Sequence, residues 1–326
     1  MSGGLDTGNT AAEERVGAAP SVLFRMLAPF IFLWAAWLAL SELVRILFAD
    51  WKGAAAGDFA LFLLCGAAYI SIATASTAWF IIEERRSPAA AARTRRFLLI
   101  SCGLLMVLLV AYTRVIGRLE PVAANIGTAN LLTIAILLGT WIVAPLKRAS
   151  ELVPVAIVMT LADVYSVFMG PSSKIAESLG KFYRGGMAGP PPPADFLLVK
   201  LILPGSAVPA PAFGVADWIF VAFLTAAAAR FGFDDNLIGP GLFELERKRL
   251  RPFVLPVAAL ALFAAVAAAN VLGYPIPALP IVAGAFMSYV LVKYPDARRL
   301  TKSDWIATAA FSGALLALMA LGKFVK

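Results

Sequence analysis

Two aspartates lie inside strongly apolar segments, and they are the side chains of this sequence best placed to carry out chemistry. Asp163 stands in TLADVYSVFM and Asp217 stands in PAFGVADWIFVAFL. A carboxylate in hydrocarbon costs about 2.5–3.5 kcal/mol on insertion scales, so such residues usually face a bundle interior, a partner or a water-filled cavity. If the two segments are consecutive, antiparallel spans, the two carboxyl groups can meet at a similar depth in the membrane.

Two carboxyl groups in contact share one proton, because both cannot be ionised cheaply at the same time. One member can then take a proton from water while the other donates a proton to a carbonyl oxygen. This acid–base chemistry hydrolyses a peptide bond without a histidine, serine, cysteine or metal. The two residues alone leave another interpretation open, in which the aspartates have a structural role or pass protons along a relay, as in an ion-coupled transporter.

The composition indicates a membrane protein and restricts its chemistry. Of 326 residues, 61% are hydrophobic and 15% are charged, with a mean hydropathy of +0.84, whereas a soluble domain carries about 25% charged residues. The chain contains no histidine, which excludes Ser–His and Cys–His nucleophiles and HExxH zinc sites. Cys65 and Cys102 do not form a disulfide framework. We therefore expect no cofactor and no bound metal.

The elements that must position these aspartates are about nine transmembrane helices. We predict an all-α polytopic protein with spans near 24–48, 58–82, 97–117, 121–144, 151–169, 212–230, 253–272, 277–293 and 304–323. Its parts are a disordered tail (1–21), an N-terminal transmembrane bundle (22–148), a core (149–293) containing the 170–211 loop, and an additional C-terminal helix (294–326).

The net charge of +8 fits cytoplasmic loops of a protein whose partner is the lipid bilayer, and it does not require nucleic acid. Most Lys and Arg residues fall on one side of the nine predicted spans. The positive-inside rule then places the N-terminus in the cytoplasm and the 170–211 loop outside.

Two further segments are unusual for a membrane bundle. In the 170–211 loop, glycines and the Pro190–Pro193 run argue against a continuous helix, and the apolar stretch Phe196–Leu203 predicts a surface strand with unpaired edges. The segment Pro275–Pro280 (PIPALP) leaves backbone groups free for a site. Taken alone, it is better explained as a proline-marked helix start.

Together these segments resemble the signal peptide peptidase and presenilin family of GxGD intramembrane aspartyl proteases. Asp163-Val164-Tyr165-Ser166-Val167-Phe168 is similar to the helix of the first catalytic aspartate, and Lys200-Leu201-Ile202-Leu203-Pro204 is similar to the strand before the second catalytic helix. Gly214-Val215-Ala216-Asp217 stands at the GxGD position, and Pro277-Ala278-Leu279-Pro280 keeps the PAL motif. The order of the four motifs is that of the family, and the resemblance covers about residues 150–293.

The resemblance implies a presenilin-like bundle that hydrolyses peptide bonds within transmembrane helices, with Asp163 and Asp217 as the catalytic dyad. The supporting residues would be Tyr165, Gly214, Val215, Ala216, Pro277, Ala278, Leu279 and Pro280. Leu201, Ile202 and Leu203 would lie on a strand that pairs with an unwound substrate, and Gly214 would allow close backbone approach.

The sequence departs from the family pattern at several points. Ala162 replaces a tyrosine, Ala216 replaces the second glycine of GxGD, and Ile276 stands where glutamine often precedes PAL. Four spans precede the Asp163 helix instead of five, and one more follows the PAL helix. An ion- or proton-coupled transporter or channel, and an inactive homologue that binds membrane helices, therefore remain alternatives to the protease.

Overall fold

The chain is mostly helical in a computed structural model that describes residues 19–51, 55–168, 171–187, 189–206, 208–248, 254–273 and 276–324. The helices are α1 (Ala19–Leu47), α2 (Ala55–Arg86), α3 (Pro88–Ile116), α4 (Pro121–Ile142), α5 (Leu152–Phe168), α6 (Pro171–Arg184), α7 (Val215–Phe231), α8 (Leu242–Lys248), α9 (Val257–Leu272), α10 (Ala278–Lys293) and α11 (Lys302–Phe324). The strands are β1 (Leu198–Leu201) and β2 (Ala210–Gly214), and single 3₁₀ turns occupy Ala149–Glu151, Pro193–Leu197 and Pro295–Arg298.

Five of the described helical segments are long and apolar enough to cross a membrane: Val22–Leu47, Phe59–Arg86, Pro88–Ile116, Pro121–Ile142 and Ala149–Val167. They indicate a multi-pass membrane protein. Helices also occupy the other four predicted spans, but they do not meet the same criterion over the described residues. A count of nine membrane crossings is therefore not established.

Local sequence explains why some of these helices are short. Helix α9 has 16 residues, which is about 24 Å at 1.5 Å per residue and less than the roughly 30 Å of a hydrocarbon core. It begins after Pro256 and ends at Gly273, whose φ is 62°. Helix α10, also of 16 residues, begins after Pro277. Proline and glycine thus set where these two helices begin and end.

Helix α7 forms the centre of the bundle and packs most extensively against α4. Its middle is buried on all sides, including the large side chains of Trp218, Phe220 and Phe223, as expected for a helix that is apolar around its whole circumference. The close approach of α4 depends on Gly139, where an added Cβ would lie 2.5 Å from the carbonyl oxygen of Ile219. The N-terminal helices, in which the sequence shows no motif, therefore support the helix that carries Asp217.

Helix α10 packs against both α5 and α7, so it lies between the two helices that carry the aspartates. Helix α11 packs against α5. Asp304 near the start of α11 is buried and accepts a hydrogen bond from Arg148 Nη2 at 2.8 Å. The additional C-terminal helix is thus attached to the beginning of the helix that carries Asp163.

The 170–211 region differs from its prediction because it contains helix α6. Gly180 is tolerated within this helix, a Glu177–Lys181 ion pair of 2.8 Å spans one turn, and the proline run begins only after the helix has ended. No continuous helix fills the region, since α6 ends at Arg184 before the Gly185–Gly186 pair and the prolines, but its 14 residues of helix were not predicted.

The predicted surface strand is present over Leu198–Leu201, but it is paired. Strand β1 forms an antiparallel hairpin with β2, in which Leu198 lies opposite Gly214 and Leu201 lies opposite Ala210. The prediction of unpaired edges is therefore wrong for β1. Residues 1–18 of the predicted tail (1–21) lie outside the described residues. The first helix, α1, already begins at Ala19.

Candidate functional site

Asp163 lies in the second half of α5, where its side chain is partly exposed. Its Oδ2 accepts a hydrogen bond of 3.1 Å from the backbone N–H of Leu279. Leu279 is the second residue of α10, and the first N–H groups of a helix have no partner within that helix. Asp163 thus satisfies a free donor of the Pro277–Pro280 turn and links α5 to α10.

Asp217 lies in the first turn of α7, and its side chain is partly exposed. Its Oδ2 accepts a hydrogen bond of 2.8 Å from the backbone N–H of Gly214, the residue that precedes the helix. A carboxylate three residues into a helix commonly binds this N–H and interacts favourably with the helix dipole. Asp217 is therefore held at the junction of strand β2 and helix α7.

The charge of Asp163 acts weakly on Asp217, and no hydrogen bond joins the two carboxyl groups. Each group accepts a backbone N–H, one from the start of α10 and one from the start of α7. Because α10 packs against both α5 and α7, it links the two helices that carry the aspartates.

The supporting residues predicted from the sequence surround this pair in different ways. Leu279 is buried, whereas the other three residues of the PAL motif, Pro277, Ala278 and Pro280, are half-buried. Val215 is half-buried and Ala216 is exposed. Tyr165 is half-buried one turn or less from Asp163 along α5. Pro275 lies outside the described residues.

Within the chain, neither the conformation nor the surroundings of Gly214 require a glycine, and the close approach of a substrate backbone stays a prediction. Its φ is −78°, which any residue adopts, and an added Cβ would lie 3.5 Å from Asp217 Oδ2, an ordinary van der Waals contact. What Gly214 contributes in this structure is its backbone N–H, which does not require glycine.

Leu201, Ile202 and Leu203 do not present a free edge to a substrate. Leu201 and Ile202 are buried and Leu203 is half-buried. Strand β1 has β2 on one edge and α4 on the other, where the N–H of Lys200 donates to Thr128 Oγ1 at 3.2 Å. Strand β2 is more exposed, since Pro211 is open to solvent and Ala212 is half-buried. Within the part of the chain that the structure describes, no strand pairs with the outer edge of β2.

Sequence reasoning missed a buried group of polar residues next to the hairpin, formed by Tyr183, Asp195 and Lys200. The signal that could have found it is a lysine in the middle of the apolar run FLLVKLIL, since a lysine that faces the interior needs a charged partner. Among the described residues, no group of three or more Asp, Glu or Cys side chains is placed to hold a metal ion.

Comparisons of this chain with protein-family models, with curated proteins and with solved structures found no match. The family resemblance consequently depends on the four sequence motifs and on the geometry described above.

Proposed function

We propose that this protein is an intramembrane aspartyl endopeptidase that hydrolyses peptide bonds within transmembrane helices. The observation that carries the proposal is the hydrogen bond of 3.1 Å between Leu279 N and Asp163 Oδ2. It joins the first aspartate to the PAL motif across 116 residues of sequence, at a place where the charge of Asp163 also reaches Asp217. The family resemblance implies this grouping, which no spacing rule within a single helix would produce.

The proposed reaction uses the two aspartates as an acid and a base. The ionised carboxylate takes a proton from a water molecule, and the resulting hydroxide attacks the peptide carbonyl carbon while the protonated carboxyl donates to the carbonyl oxygen. The N–H groups of Leu279 and Gly214 hold the carboxyl groups in position. The C–N bond of the tetrahedral intermediate then breaks: the nitrogen takes a proton from the carboxyl group that gained one from water, and a hydroxyl of the intermediate returns a proton to the other carboxylate. This releases an amine and a carboxylic acid and restores the starting state of the dyad.

The substrate class follows from the surroundings of the site. A peptide bond inside a helix must unwind before water can attack it, and an unwound segment has backbone groups that need partners in a membrane. The outer edge of β2 can supply partners by strand addition. Because β2 ends at Gly214, three residues before Asp217, a strand added there would pass beside the second aspartate.

The test is cleavage of a single-span substrate by detergent-purified protein. Asp163→Asn and Asp217→Asn keep the shape of the side chains but cannot share a proton, and we expect each to reduce cleavage by about 10³-fold or more. Glu177→Gln removes an exposed carboxylate on α6 and serves as the control, with activity equal to that of the unaltered protein.

Other outcomes distinguish the alternatives. Equal cleavage by all four proteins contradicts the proposal. Binding of the substrate helix without cleavage favours an inactive homologue, and proton flux in liposomes that both asparagine variants abolish favours a transporter. A shared proton also predicts a bell-shaped dependence of activity on pH, so a flat profile between about pH 4 and 9 would contradict it.

A further inference from the structure

Three polar side chains form a buried network on the hairpin side of the molecule, which we call the Tyr183–Asp195–Lys200 network. Tyr183 on α6 donates its hydroxyl hydrogen to Asp195 Oδ1 at 2.6 Å. Lys200 Nζ lies 3.0 Å from Asp195 Oδ2 and donates to the carbonyl oxygen of Asp195 at 2.7 Å. One carboxylate thus holds a helix and a strand that lie on either side of it in the sequence.

This ion pair is almost completely removed from solvent, with side-chain exposures of 5% for Lys200 and 0% for Asp195. Desolvation of two charges costs several kcal/mol and is often not recovered by their attraction, so a buried pair is weak evidence for stabilisation. Such a pair fixes geometry, however, because each charge needs its partner in one position. What this pair positions is the strand that carries Lys200.

The network holds strand β1 just before its start and at a residue within it. The 3₁₀ turn containing Asp195 leads directly into β1, and Lys200 lies within the strand. The backbone N–H of Lys200 also donates to Thr128 Oγ1 of α4 at 3.2 Å. The depth and rotation of β1 against α4 are thus set by the main chain and the side chain of the same residue.

From β1 the constraint continues to the dyad. Lys200 lies opposite Pro211 in the hairpin, and Leu198 lies opposite Gly214. Gly214 donates to Asp217 at 2.8 Å. The ring of Phe213 stacks on Trp218 of α7 with centroids 6.1 Å apart. A displacement of β1 therefore displaces β2, the strand whose outer edge is open.

We propose that Tyr183, Asp195 and Lys200 are positioning residues that set the register of the β1–β2 hairpin for an added substrate strand. This inference rests on the proposed protease function, which supplies the added strand. None of the three residues touches the dyad, so they act on substrate alignment and leave the acid–base chemistry to Asp163 and Asp217.

Electrostatics keep the network intact near neutral pH. Burial lowers the pKa of the Lys200 ammonium, and the adjacent Asp195 carboxylate opposes that shift. Burial and the charge of Asp195 raise the pKa of the Tyr183 hydroxyl well above its usual value. Tyr183 therefore remains a hydrogen-bond donor throughout the pH range in which the enzyme can work.

The experiment compares Tyr183→Phe, Lys200→Met and the double variant Asp195→Asn/Lys200→Met in the full-length protein. Two readouts are measured: hydrogen exchange of the backbone amides of β1 and β2, and the separate KM and kcat for a single-span substrate. Lys181→Met is the matched control, because it breaks an exposed ion pair on α6, the helix that carries Tyr183. In that pair the side chain of Lys181 is 72% exposed and that of Glu177 is 64% exposed.

For Tyr183→Phe we expect strand amides to exchange about tenfold faster and KM to rise about fivefold, with kcat within about twofold. Lys200→Met leaves Asp195 buried without a counter-charge and should have the larger effect on both readouts. The double variant removes both charges and should recover part of the exchange protection. Lys181→Met should match the unaltered protein.

Unchanged exchange and unchanged KM in Tyr183→Phe and Lys200→Met would overturn the inference, as would a fall in kcat at constant KM. If Lys200→Met does not fold, Tyr183→Phe carries the test, because it keeps the ion pair. If the unaltered protein cleaves no substrate, the proposed function fails, and hydrogen exchange still decides whether the network holds the hairpin.

Discussion

The two ends of helix α7 are held in different ways. At its start, Asp217 accepts a hydrogen bond from the N–H of Gly214, the residue before the helix. Asp217 lies next to the exposed Ala216. Just beyond its end, the N–H of Asp234 donates to the hydroxyl of Tyr294 at 2.6 Å, and the hydroxyl of Tyr289 donates to the carbonyl oxygen of Asp234 at 2.6 Å. The site end is joined to the hairpin and packed against α4, whereas the far end is fastened to α10.

Helix α10 shows the same difference. Its start carries the PAL motif and donates one N–H to Asp163, while its end supplies Tyr289 and also Lys293, which donates to the carbonyl oxygen of Asp234 at 3.2 Å. The two helices that frame the dyad are thus joined to each other at the end away from it. The far-end hydrogen bonds keep the two helices paired, while the start of each helix is joined to one of the aspartates.

The largest effect is expected where α7 touches α4 close to the site. In Gly139→Ala the new Cβ would lie 2.5 Å from Ile219 O and 2.9 Å from Phe223 N. Backbone atoms cannot rotate away, so the helices must separate, and we expect a loss of about 3 kcal/mol in the free energy of unfolding. Thermal denaturation in detergent measures it.

The control for that substitution is Gly103→Ala on α3, where no atom lies within 4 Å of the added Cβ. Alanine is a better helix former than glycine by about 1 kcal/mol, so this variant should be as stable as the unaltered protein or slightly more so. Equal behaviour of the two alanine variants would mean that the α4–α7 contact is not close.

The hydrogen bond to Asp163 can be removed at its donor. Leu279→Pro eliminates the N–H in the first turn of α10, where a helix tolerates proline. We expect cleavage to fall about 10²-fold because the carboxyl group is no longer held in place. Leu279→Ala also removes the leucine side chain but keeps the backbone N–H. The alanine variant should therefore cleave the substrate much faster than the proline variant. Equal rates would show that the hydrogen bond does not position Asp163.

The far end can be tested through pH, because burial raises the pKa of Asp235 to about 7. In the unfolded chain the pKa of this carboxyl group is near 4. Between about pH 4 and 7, Asp235 is therefore protonated in the folded state and ionised in the unfolded state. This stabilisation is complete below about pH 4 and is lost as the pH rises through about 7, a loss of about 2 kcal/mol between pH 5 and 8.

Thermal denaturation at several pH values measures this loss, and Asp235→Asn should make the stability less dependent on pH in that window. A protein that becomes more stable from pH 5 to 8, or an asparagine variant with an unchanged slope, would contradict the assignment to Asp235.

The smallest effect is expected at Ala216, whose methyl group is exposed beside Asp217. Ala216→Gly produces the GxGD pattern and opens space for a peptide backbone. We expect kcat/KM to rise about threefold, a change in free energy no larger than that associated with burying one methyl group. Ala111→Gly, at an exposed position of α3, is the control. A lower kcat/KM in Ala216→Gly would contradict an open site end.

Much of this architecture was predictable, because hydrophobic segments and their proline and glycine boundaries are local features. Every predicted span contains a helix, and the apolar run before Pro204 contains a strand. The two aspartates were recognisable because a carboxylate in an apolar segment needs a reason to be there. The role of the N-terminal helices was not predictable, since the contact at Gly139 joins residues distant in sequence.

The hairpin and its polar neighbours were beyond sequence reasoning for the same reason. The pairing of β1 with β2 depends on Ala210–Gly214, a segment containing proline and alanine with low strand propensity. The partner of Lys200 is Asp195, and a buried pair five residues apart across a turn has no periodic signature. In both cases tertiary contacts override local preference.

The central claim is that Asp163 and Asp217 hydrolyse a peptide bond inside a membrane span, and mass spectrometry of the products tests it most directly. Purified protein is incubated with a single-span substrate, and both fragments are weighed. The account predicts two fragments whose masses sum to that of the substrate plus one water, cut within the apolar span, and none with Asp163→Asn or Asp217→Asn. A cut outside the span, or the same fragments from either asparagine variant, would contradict it.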